Sequence, residues 1–298
     1  MIKSFLVVTA LSFLVGTAAA DTKSWTALKG KLPAGTIVVG GADVTALRAT
    51  PSFPKLVEWI GKEDKDTGAM LDLVKQTCGM ELPAMFADFS IAVDAKEKGV
   101  VVIGLAGIDQ MKLTDCITKV MTKVDAKIKL GVKVTGKLTE YTLSGQTDKI
   151  YASWLSGDVV AISMEPNGHG PLDAMMAGGA ATGDLAGFLG KANTSAPGWA
   201  AFAVNDDGVK GGFGMVTLGS TLKLALKMTG MTPKDGAKGR TEMTDMVKKG
   251  VDRSKKQPEL TKVFKAAKVG GKDTEVTLDV AVPEASLPTL LPAFDKVF

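Results

Sequence analysis

The hydrophobic positions of the chain follow two patterns, short apolar or alternating runs and longer stretches with a three- and four-residue repeat. The short runs predict β-strands, several of them paired around a turn. The longer repeats predict helices. The predicted strands cover residues 37–44, 89–93, 100–105, 132–134, 138–143, 150–154, 159–164, 199–204, 209–218 and 275–282. The predicted helices cover residues 46–60, 69–77, 113–124, 172–177, 221–228, 243–251, 260–267 and 287–294.

The predicted strands fall in hairpins instead of alternating singly with helices. This order favours an α+β fold, with helices packed on an antiparallel sheet built from hairpins, over a parallel doubly wound sheet. Residues 89–124 and 199–228 share an order of hairpin and helix, which indicates two degenerate repeats. A Gly- and Ala-rich joint separates a first α+β unit, residues 21-178, from a second, residues 184-298, and we expect them to pack as one globule.

Residues 1-20 have the three parts of a secretory signal peptide: Lys3, an apolar run at residues 5–15, and an alanine triplet that ends at Ala20. No cysteine follows the apolar run, so the acylation site of a lipoprotein is not predicted. The rest of the chain has no apolar stretch near the roughly 20 residues that a membrane helix needs. We therefore predict an exported protein, periplasmic or extracellular, with no transmembrane segment after signal cleavage.

Cys78 and Cys116 are the two cysteines of the chain. Two cysteines in an exported protein are expected to be oxidised together, so we predict a disulfide between them. Such a bond stabilises the fold by about 4 kcal/mol in the usual loop-entropy treatment. The cysteines lie much further apart in sequence than those of redox-active pairs, which indicates a structural role.

The net charge of the chain is +4, but its distribution is uneven. Residues 227–272 hold thirteen cations and five anions. Five of these cations cluster at the end of one predicted helix and in the loop after it: Lys248, Lys249, Arg253, Lys255 and Lys256. The cluster is either a solvated helix end, where cations are favourable in any case, or an anion-binding patch for lipid headgroups, acidic polysaccharide or nucleic acid.

No diagnostic catalytic, metal or nucleotide motif is present. His169 is the single histidine, which argues against a histidine-rich metal centre, and no Gly-x-Ser-x-Gly elbow exists for it to serve. Residues 131–138 nearly match a phosphate-binding loop, but Leu138 replaces the Ser or Thr that would hold magnesium. Residues 64–68 begin like a calcium loop, but Lys75 stands where the closing Glu would be. We therefore predict no catalytic residue, metal, cofactor or nucleotide.

Two Ser-x-x-Lys matches keep a hydrolase among the hypotheses. They pair Ser52 with Lys55 and Ser220 with Lys223, the spacing used by penicillin-recognising enzymes. Neither of the partner motifs of those enzymes, Ser-Asp-Asn or Lys-Thr-Gly, follows. A serine hydrolase is therefore the weakest of the functional hypotheses.

The start of the mature chain carries a resemblance. Leu-Pro-Ala-Gly-Thr at residues 32–36 is followed by Asp-Val-Thr-Ala-Leu-Arg at 43–48 and Thr-Pro-Ser-Phe at 50–53. This succession resembles uncharacterised exported proteins of Gram-negative bacteria, and Cys78 and Cys116 look like the cysteine positions of that group. The resemblance implies a two-part α+β fold in the cell envelope and brings no active site. Many proteins of that group resemble lipoproteins, whereas this chain lacks the acylated cysteine.

The favoured function is that of a non-enzymatic exported cell-envelope protein that binds a partner, which would be anionic if the basic cluster is used. The alternative is a periplasmic carrier of an apolar or lipid-like ligand. The 14 methionines and the hairpin-rich pattern suggest this carrier, because methionine lines adaptable apolar sites.

Overall fold

The computed structural model describes residues 21–294 of the 298-residue chain. The predicted signal peptide lies outside the described residues, as do residues 295–298. Contacts divide the described chain into two compact units. The first unit comprises Asp21–Arg48 and Ile60–Ala181, and the second comprises Ala49–Trp59 together with residues 182–294.

The described residues form an α+β fold, as predicted, and this fold has ten α-helices and twelve antiparallel strands. The helices are α1 (Lys23–Leu28), α2 (Val44–Arg48), α3 (Phe53–Glu63), α4 (Lys65–Cys78), α5 (Gln110–Val124), α6 (Gly170–Ala177), α7 (Gly183–Leu189), α8 (Pro233–Arg253), α9 (Pro258–Ala266) and α10 (Leu287–Phe294). The strands are β1 (Thr36–Asp43), β2 (Phe86–Asp94), β3 (Gly99–Leu105), β4 (Leu130–Thr135), β5 (Leu138–Leu143), β6 (Lys149–Ser156), β7 (Val159–Ser163), β8 (Gly198–Phe202), β9 (Val209–Thr217), β10 (Thr221–Gly230), β11 (Lys268–Gly270) and β12 (Glu275–Pro283). Two short 3₁₀ helices cover Leu82–Met85 and Glu284–Ser286.

The sheet of the first unit has the strand order β1-β2-β3-β7-β6-β5-β4, which leaves β4 at its edge. Side chains alternate between the two sides of a strand. The side that carries Val39, Ala92 and Val100 is buried, and α1 and α6 contact its strands. The opposite side, here called the open side, carries Ile103 and Trp154, which pack against the cluster formed by α4 and α5.

The sheet of the second unit has the strand order β8-β9-β10-β12-β11. One side of this sheet carries Leu222, Val216 and Val282. These side chains are buried together with Leu260 and Val263 of α9. One apolar cluster of the second unit therefore lies between this side of the sheet and the helices that follow β10. Trp199 and Ala201 are buried on the opposite side.

The two units share a strand order. In each, three consecutive strands form a meander, one or two helices follow the third strand, and the last strand of the unit returns to pair with that third strand. β1-β2-β3 therefore correspond to β8-β9-β10, and β6-β7 correspond to β11-β12. The sequence comparison of 89–124 with 199–228 was one strand out of step. The hairpin of β4 and β5 has no counterpart in the second unit.

The predicted helix at 221–228 is wrong, because this segment is strand β10. Leu222 and Leu224 share one side with Leu226, while Lys223 and Lys227 lie on the other, so the residues follow a repeat of two that suits a strand. Pairing with β9 and β12 on both sides places the leucines in the core.

Two predicted helix boundaries also change. The helix predicted at 46–60 is split into α2 and α3, because Pro51 disfavours a helical residue before it. The polar loop predicted before residue 69 is the beginning of α4. The side chain of Asp64 accepts bonds from the backbone N–H groups of Asp66 and Thr67, so the calcium-loop look-alike is a helix N-cap.

Candidate functional site

The predicted disulfide is confirmed. Cys78 at the end of α4 and Cys116 in α5 are bonded, with 5.4 Å between their Cα atoms. The bond lies in an apolar cluster with Val74, Met85 and Val120. It fastens two helices that lie on the open side of the first sheet, and its burial fits a structural role.

The basic cluster predicted at 248–256 lies on the last turns of α8 and in the turn after it. All five of its cations, Lys248, Lys249, Arg253, Lys255 and Lys256, are exposed. Two of these lysines are paired with acids of the same segment. Lys248 lies 3.5 Å from Asp245, and Lys255 lies 2.9 Å from Asp252. These pairs reduce the positive potential that the composition suggested.

A second basic region, which sequence reasoning missed, surrounds the outer strands of the first sheet. Three aliphatic side chains are exposed here: Val132 by 45%, Val134 by 62% and Ile150 by 57%. The register aligns Val132 with Tyr141 and Tyr141 with Ile150, so these three side chains form one row on the open side. Val134 lies beside this row on the same side, opposite Thr139. The row continues the open side of the sheet beyond the cover that α4 and α5 provide.

An aromatic pair lies beside this row. The indole N–H of Trp154 donates to the hydroxyl oxygen of Tyr141 over 3.3 Å. Both residues lie on the open side, because Trp154 is two residues from Ala152, which opposes Thr139, and Thr139 is two residues from Tyr141. The bond satisfies the indole N–H of Trp154, so the apolar surfaces of the two rings can lie beside the row.

Three lysines lie at the two ends of β4. Lys127 and Lys129 precede the strand, and Lys137 follows it. All three are exposed, and within residues 21–294 none forms an ion pair with a carboxylate. We call Val132, Val134, Tyr141 and Ile150, together with Lys127, Lys129 and Lys137, the outer-strand surface.

The lysines before β4 are held in place by Ser144, which follows β5. The backbone N–H of Lys129 donates to Oγ of Ser144 over 2.8 Å, and that hydroxyl donates to the carbonyl of Lys127 over 3.0 Å. The carboxylate of Asp125 accepts from the backbone N–H of Lys127 over 2.8 Å. The backbone that carries these lysines is therefore fixed by three hydrogen bonds, while their ammonium groups stay in solvent.

The opposite side of the same strands has paired charges. Lys149 on β6 lies 3.1 Å from Glu140 on β5. Its hydrogen bond lowers the pKa of the Glu140 carboxyl below the ordinary value of 4.5, and the bond from Glu140 raises the pKa of the Lys149 ammonium above 10.5. Lys133 also lowers the pKa of Glu140 through its charge. This side of the outer strands therefore differs from the open side, where Lys127, Lys129 and Lys137 flank the apolar row without a carboxylate partner among the described residues.

His169 stands at the beginning of α6. Its Nδ1 lies 2.7 Å from a carboxylate oxygen of Asp173, and its ring packs edge-on against Tyr151 at 5.2 Å. In the described part of the chain, no three His, Cys, Asp or Glu side chains are grouped as metal ligands. The contacts of His169 are those of a histidine at a helix N-terminus.

Ser52, the first serine of the Ser-x-x-Lys matches, is buried. Its backbone N–H donates to Oε1 of Glu284 over 2.6 Å, and its hydroxyl donates to the carbonyl of Glu284 over 2.9 Å. The hydroxyl also bonds the Glu284 carboxylate. Lys55, its partner in the motif, is exposed. A serine with these bonds is a structural anchor, and this geometry does not support a nucleophile.

A small groove lies in the second unit between α9 and the end of β12. It encloses about 260 Å³ and has an apolar lining from Val263, Ala266, Ala281 and Pro283. Lys262 and Glu259 border it and pair with one another at 2.6 Å. The groove can accept one small apolar group.

Within residues 21–294, no helix combines the length and apolar character that crossing a membrane requires. No protein-family model, curated protein or solved structure matches this chain. The chemistry of the outer-strand surface is therefore the basis for a functional proposal.

Proposed function

We propose that this chain is a non-enzymatic, exported cell-envelope protein that binds an anionic, partly apolar partner through the outer-strand surface. The observation that carries the proposal is the combination of three neighbouring exposed aliphatic side chains on the open side with lysines that no carboxylate of the described chain neutralises. An aliphatic row in water gains free energy when a partner covers it. Unpaired ammonium groups around it favour a partner that carries negative charge.

The basic cluster at 248–256 is a weaker candidate for this role. Asp245 and Asp252 pair with two of its lysines, so an anionic partner would compete with these carboxylates. Little apolar surface is exposed near this cluster. Met246, which precedes it in α8, is the large hydrophobic residue exposed there, with 38% of its surface accessible. A charged partner gains less apolar contact there than on the outer-strand surface.

Location in the envelope is part of the proposal. Its support is the signal-like pattern of residues 1–20 and the disulfide between Cys78 and Cys116, because disulfides persist in oxidising compartments. Mass spectrometry of the protein from a periplasmic fraction tests it. A chain that begins at Asp21 is expected, and a chain that retains Met1 in the cytosol would contradict it.

The binding proposal is tested with micelles of lysophosphatidylglycerol, an anionic amphiphile, and of lysophosphatidylcholine, its zwitterionic counterpart. We expect binding to the anionic micelles that weakens as salt is added. Changing Lys127, Lys129 and Lys137 together to Gln should weaken it on the order of a hundredfold, from about 1 kcal/mol per lysine.

A matched control removes the same charge from the other basic region, by changing Lys248, Lys249 and Lys256 together to Gln. This variant is expected to bind nearly as tightly as the wild type. If it loses the affinity while the outer-strand variant keeps it, the proposed site is wrong. If neither micelle binds the wild type, the proposed function is wrong.

A carrier of an apolar or lipid-like ligand is the second candidate. The observation that favours it is that the open side continues inward from Ile150 through Ile162 and Val101 to Ile91, four half-buried or exposed aliphatic residues on successive strands. Native mass spectrometry of protein purified gently from its own cell envelope tests this candidate. A bound mass that leaves on denaturation supports a carrier, and a bare chain contradicts it.

A further inference from the structure

We infer that the partner of the outer-strand surface is the plane of an anionic lipid bilayer, with β4 lying along the headgroups. This inference rests on the proposed function and names its partner. Five of the six residues of β4 are exposed, and β4 is the edge strand of the sheet. A long exposed edge is a shape that suits a flat partner better than a single small molecule.

The spacing of the lysines supports a surface with many charges. Lys129 and Lys137 lie at opposite ends of a six-residue strand, which corresponds to roughly 20 Å at the rise of a β-strand. One anionic headgroup cannot contact ammonium groups at both ends. A layer of headgroups can contact them all at once, and juxtamembrane lysines gain affinity from such layers additively.

The apolar row sets the depth of binding. Val132, Val134 and Ile150 can enter the boundary between headgroups and acyl chains, where partly apolar surfaces of peripheral proteins bind. The free backbone groups of the edge strand keep it from going deeper, because unpaired N–H and C=O groups are not tolerated in hydrocarbon. Tyr141 and Trp154 fit the same depth, since aromatic rings with a polar group favour membrane interfaces.

Charge and apolar contact are both needed. A few aliphatic side chains alone give only weak, reversible membrane binding, and a basic patch is the usual second contribution. The outer-strand surface holds both within one hairpin and the strand beside it. The inference therefore predicts selectivity for anionic bilayers over zwitterionic bilayers at low salt, and loss of that selectivity as salt screens the lysines.

The test places a fluorophore at the expected depth. Val134→Cys is labelled with an environment-sensitive dye, which is selective because both native cysteines are in the disulfide. The vesicles contain one part phosphatidylglycerol to two parts phosphatidylcholine, or phosphatidylcholine alone, with a quencher attached to the acyl chains. We expect a blue shift and quenching of the Val134→Cys label on the anionic vesicles only. The same dye on Lys256→Cys, in the other basic region, should be unaffected.

A second variant supports the depth argument without a label. Changing Val132 and Val134 together to Thr keeps β-branched side chains on the strand, so the fold should persist. We expect roughly tenfold weaker binding to the anionic vesicles, because apolar area is lost. Micelle binding and vesicle binding are then compared for the same protein.

The outcomes separate the two proposals. If the lysine variant loses micelle binding but the Val134→Cys label shows no quenching on anionic vesicles, the bilayer inference is overturned and the proposed function stands. If quenching occurs at Lys256→Cys instead, the assigned surface is wrong. If the wild type binds neither anionic micelles nor anionic vesicles, both proposals fail.

Discussion

The two units share a strand order, but their helices cover different shares of the two sheets. In the second unit, α8 and α9 contact β10 and β12, and the leucine side of the sheet is buried. In the first unit, the corresponding side is reached by α5 at Ile103 and Trp154, while the outer strands remain open. The added hairpin of β4 and β5 extends the first sheet beyond the reach of its helices. The exposed surface thus arises from an element outside the shared order.

The units also differ in how their helices are fastened. The helix pair of the first unit is held by a covalent bond between α4 and α5. In the second unit, Leu260 and Val263 of α9 are fixed by packing against Val282 and Leu222. This contrast predicts different sensitivities to mutation, and four measurements test it.

The largest effect is expected from the disulfide. Changing Cys78 and Cys116 together to Ser should lower the free energy of unfolding by about 4 kcal/mol, because the unfolded chain regains the entropy of the open loop. Urea denaturation measures this loss. The wild type under reductant is the control and should match the variant. A loss of less than about 1 kcal/mol would contradict the loop-entropy explanation.

The next effect compares the same substitution, Val to Ala, at a buried position of the second sheet and at an exposed position on the open side of the first sheet. Val282→Ala in the second unit should destabilise the protein by about 2 kcal/mol, because it removes buried methyl groups and leaves a cavity. Val134→Ala in the first unit should stay within about 0.5 kcal/mol of the wild type, as exposed positions do. Equal losses in thermal or urea unfolding would show that the outer strands are covered in solution.

A smaller effect is expected at the helix N-termini. Asp64→Ala in α4 and Thr232→Ala in α8 each remove a side chain that accepts a backbone N–H, which costs about 1 kcal/mol. In α8, Asp235 also bonds back to the N–H of Thr232 and loses its hydroxyl partner in the variant. Asp64 accepts from two backbone N–H groups and from the hydroxyl of Thr67. Urea denaturation should therefore rank Asp64→Ala as at least as destabilising as Thr232→Ala, and the reverse order would contradict this comparison of lost hydrogen bonds.

The smallest effect concerns pH. The pKa of Glu140 in the first unit is lowered by its hydrogen bond from Lys149, and that of Glu275 in the second by its bond from Lys227. A carboxyl whose pKa is lowered in the folded state stabilises the fold at any pH above its unfolded pKa, near 4.5. This stabilisation is lost as the pH falls through the folded pKa. Glu140→Gln and Glu275→Gln should therefore lower the melting temperature slightly at neutral pH. The difference from the wild type should vanish in acid, and a difference that grows in acid would contradict this sign.

The hydrophobic repeats along the sequence predicted much of the secondary structure. They could not predict which side of each strand is covered by helices that are distant in the sequence. Residues 113–124 carry a clear helical repeat, and the alternation around Val132 and Val134 predicts a strand. Which side of that strand a helix covers depends on the lengths of distant helices, which no local pattern reports. The leucines of 221–228 alone fit a helical or a strand spacing, and their alternation with Lys223 and Lys227 is the local signal that favours a strand.

The candidate site was missed for an electrostatic reason. The total charge of residues 227–272 favours a site at Lys248 and Lys255, but Asp245 and Asp252 of the same segment pair with these two lysines. Residues 119–137 hold six cations against one anion, a shorter run that is at least as basic per residue. No carboxylate of the described residues pairs with Lys127 or Lys137. Unpaired lysines at both ends of an exposed Val-Lys-Val strand were the available signal.

The hydrogen bonds between Ser52 and Glu284 have a consequence for the order in which the chain can fold during synthesis. Ser52 is made 232 residues before its partner Glu284. Because synthesis runs from the N-terminus, this early segment must wait for nearly the whole chain before its bonds can form. A truncation that stops short of residue 284 would leave Ser52 without its acceptors. Separate expression of residues 182–298 would leave the Glu284 carboxylate buried without its donors. The protein is therefore expected to resist being cut into independently folding halves.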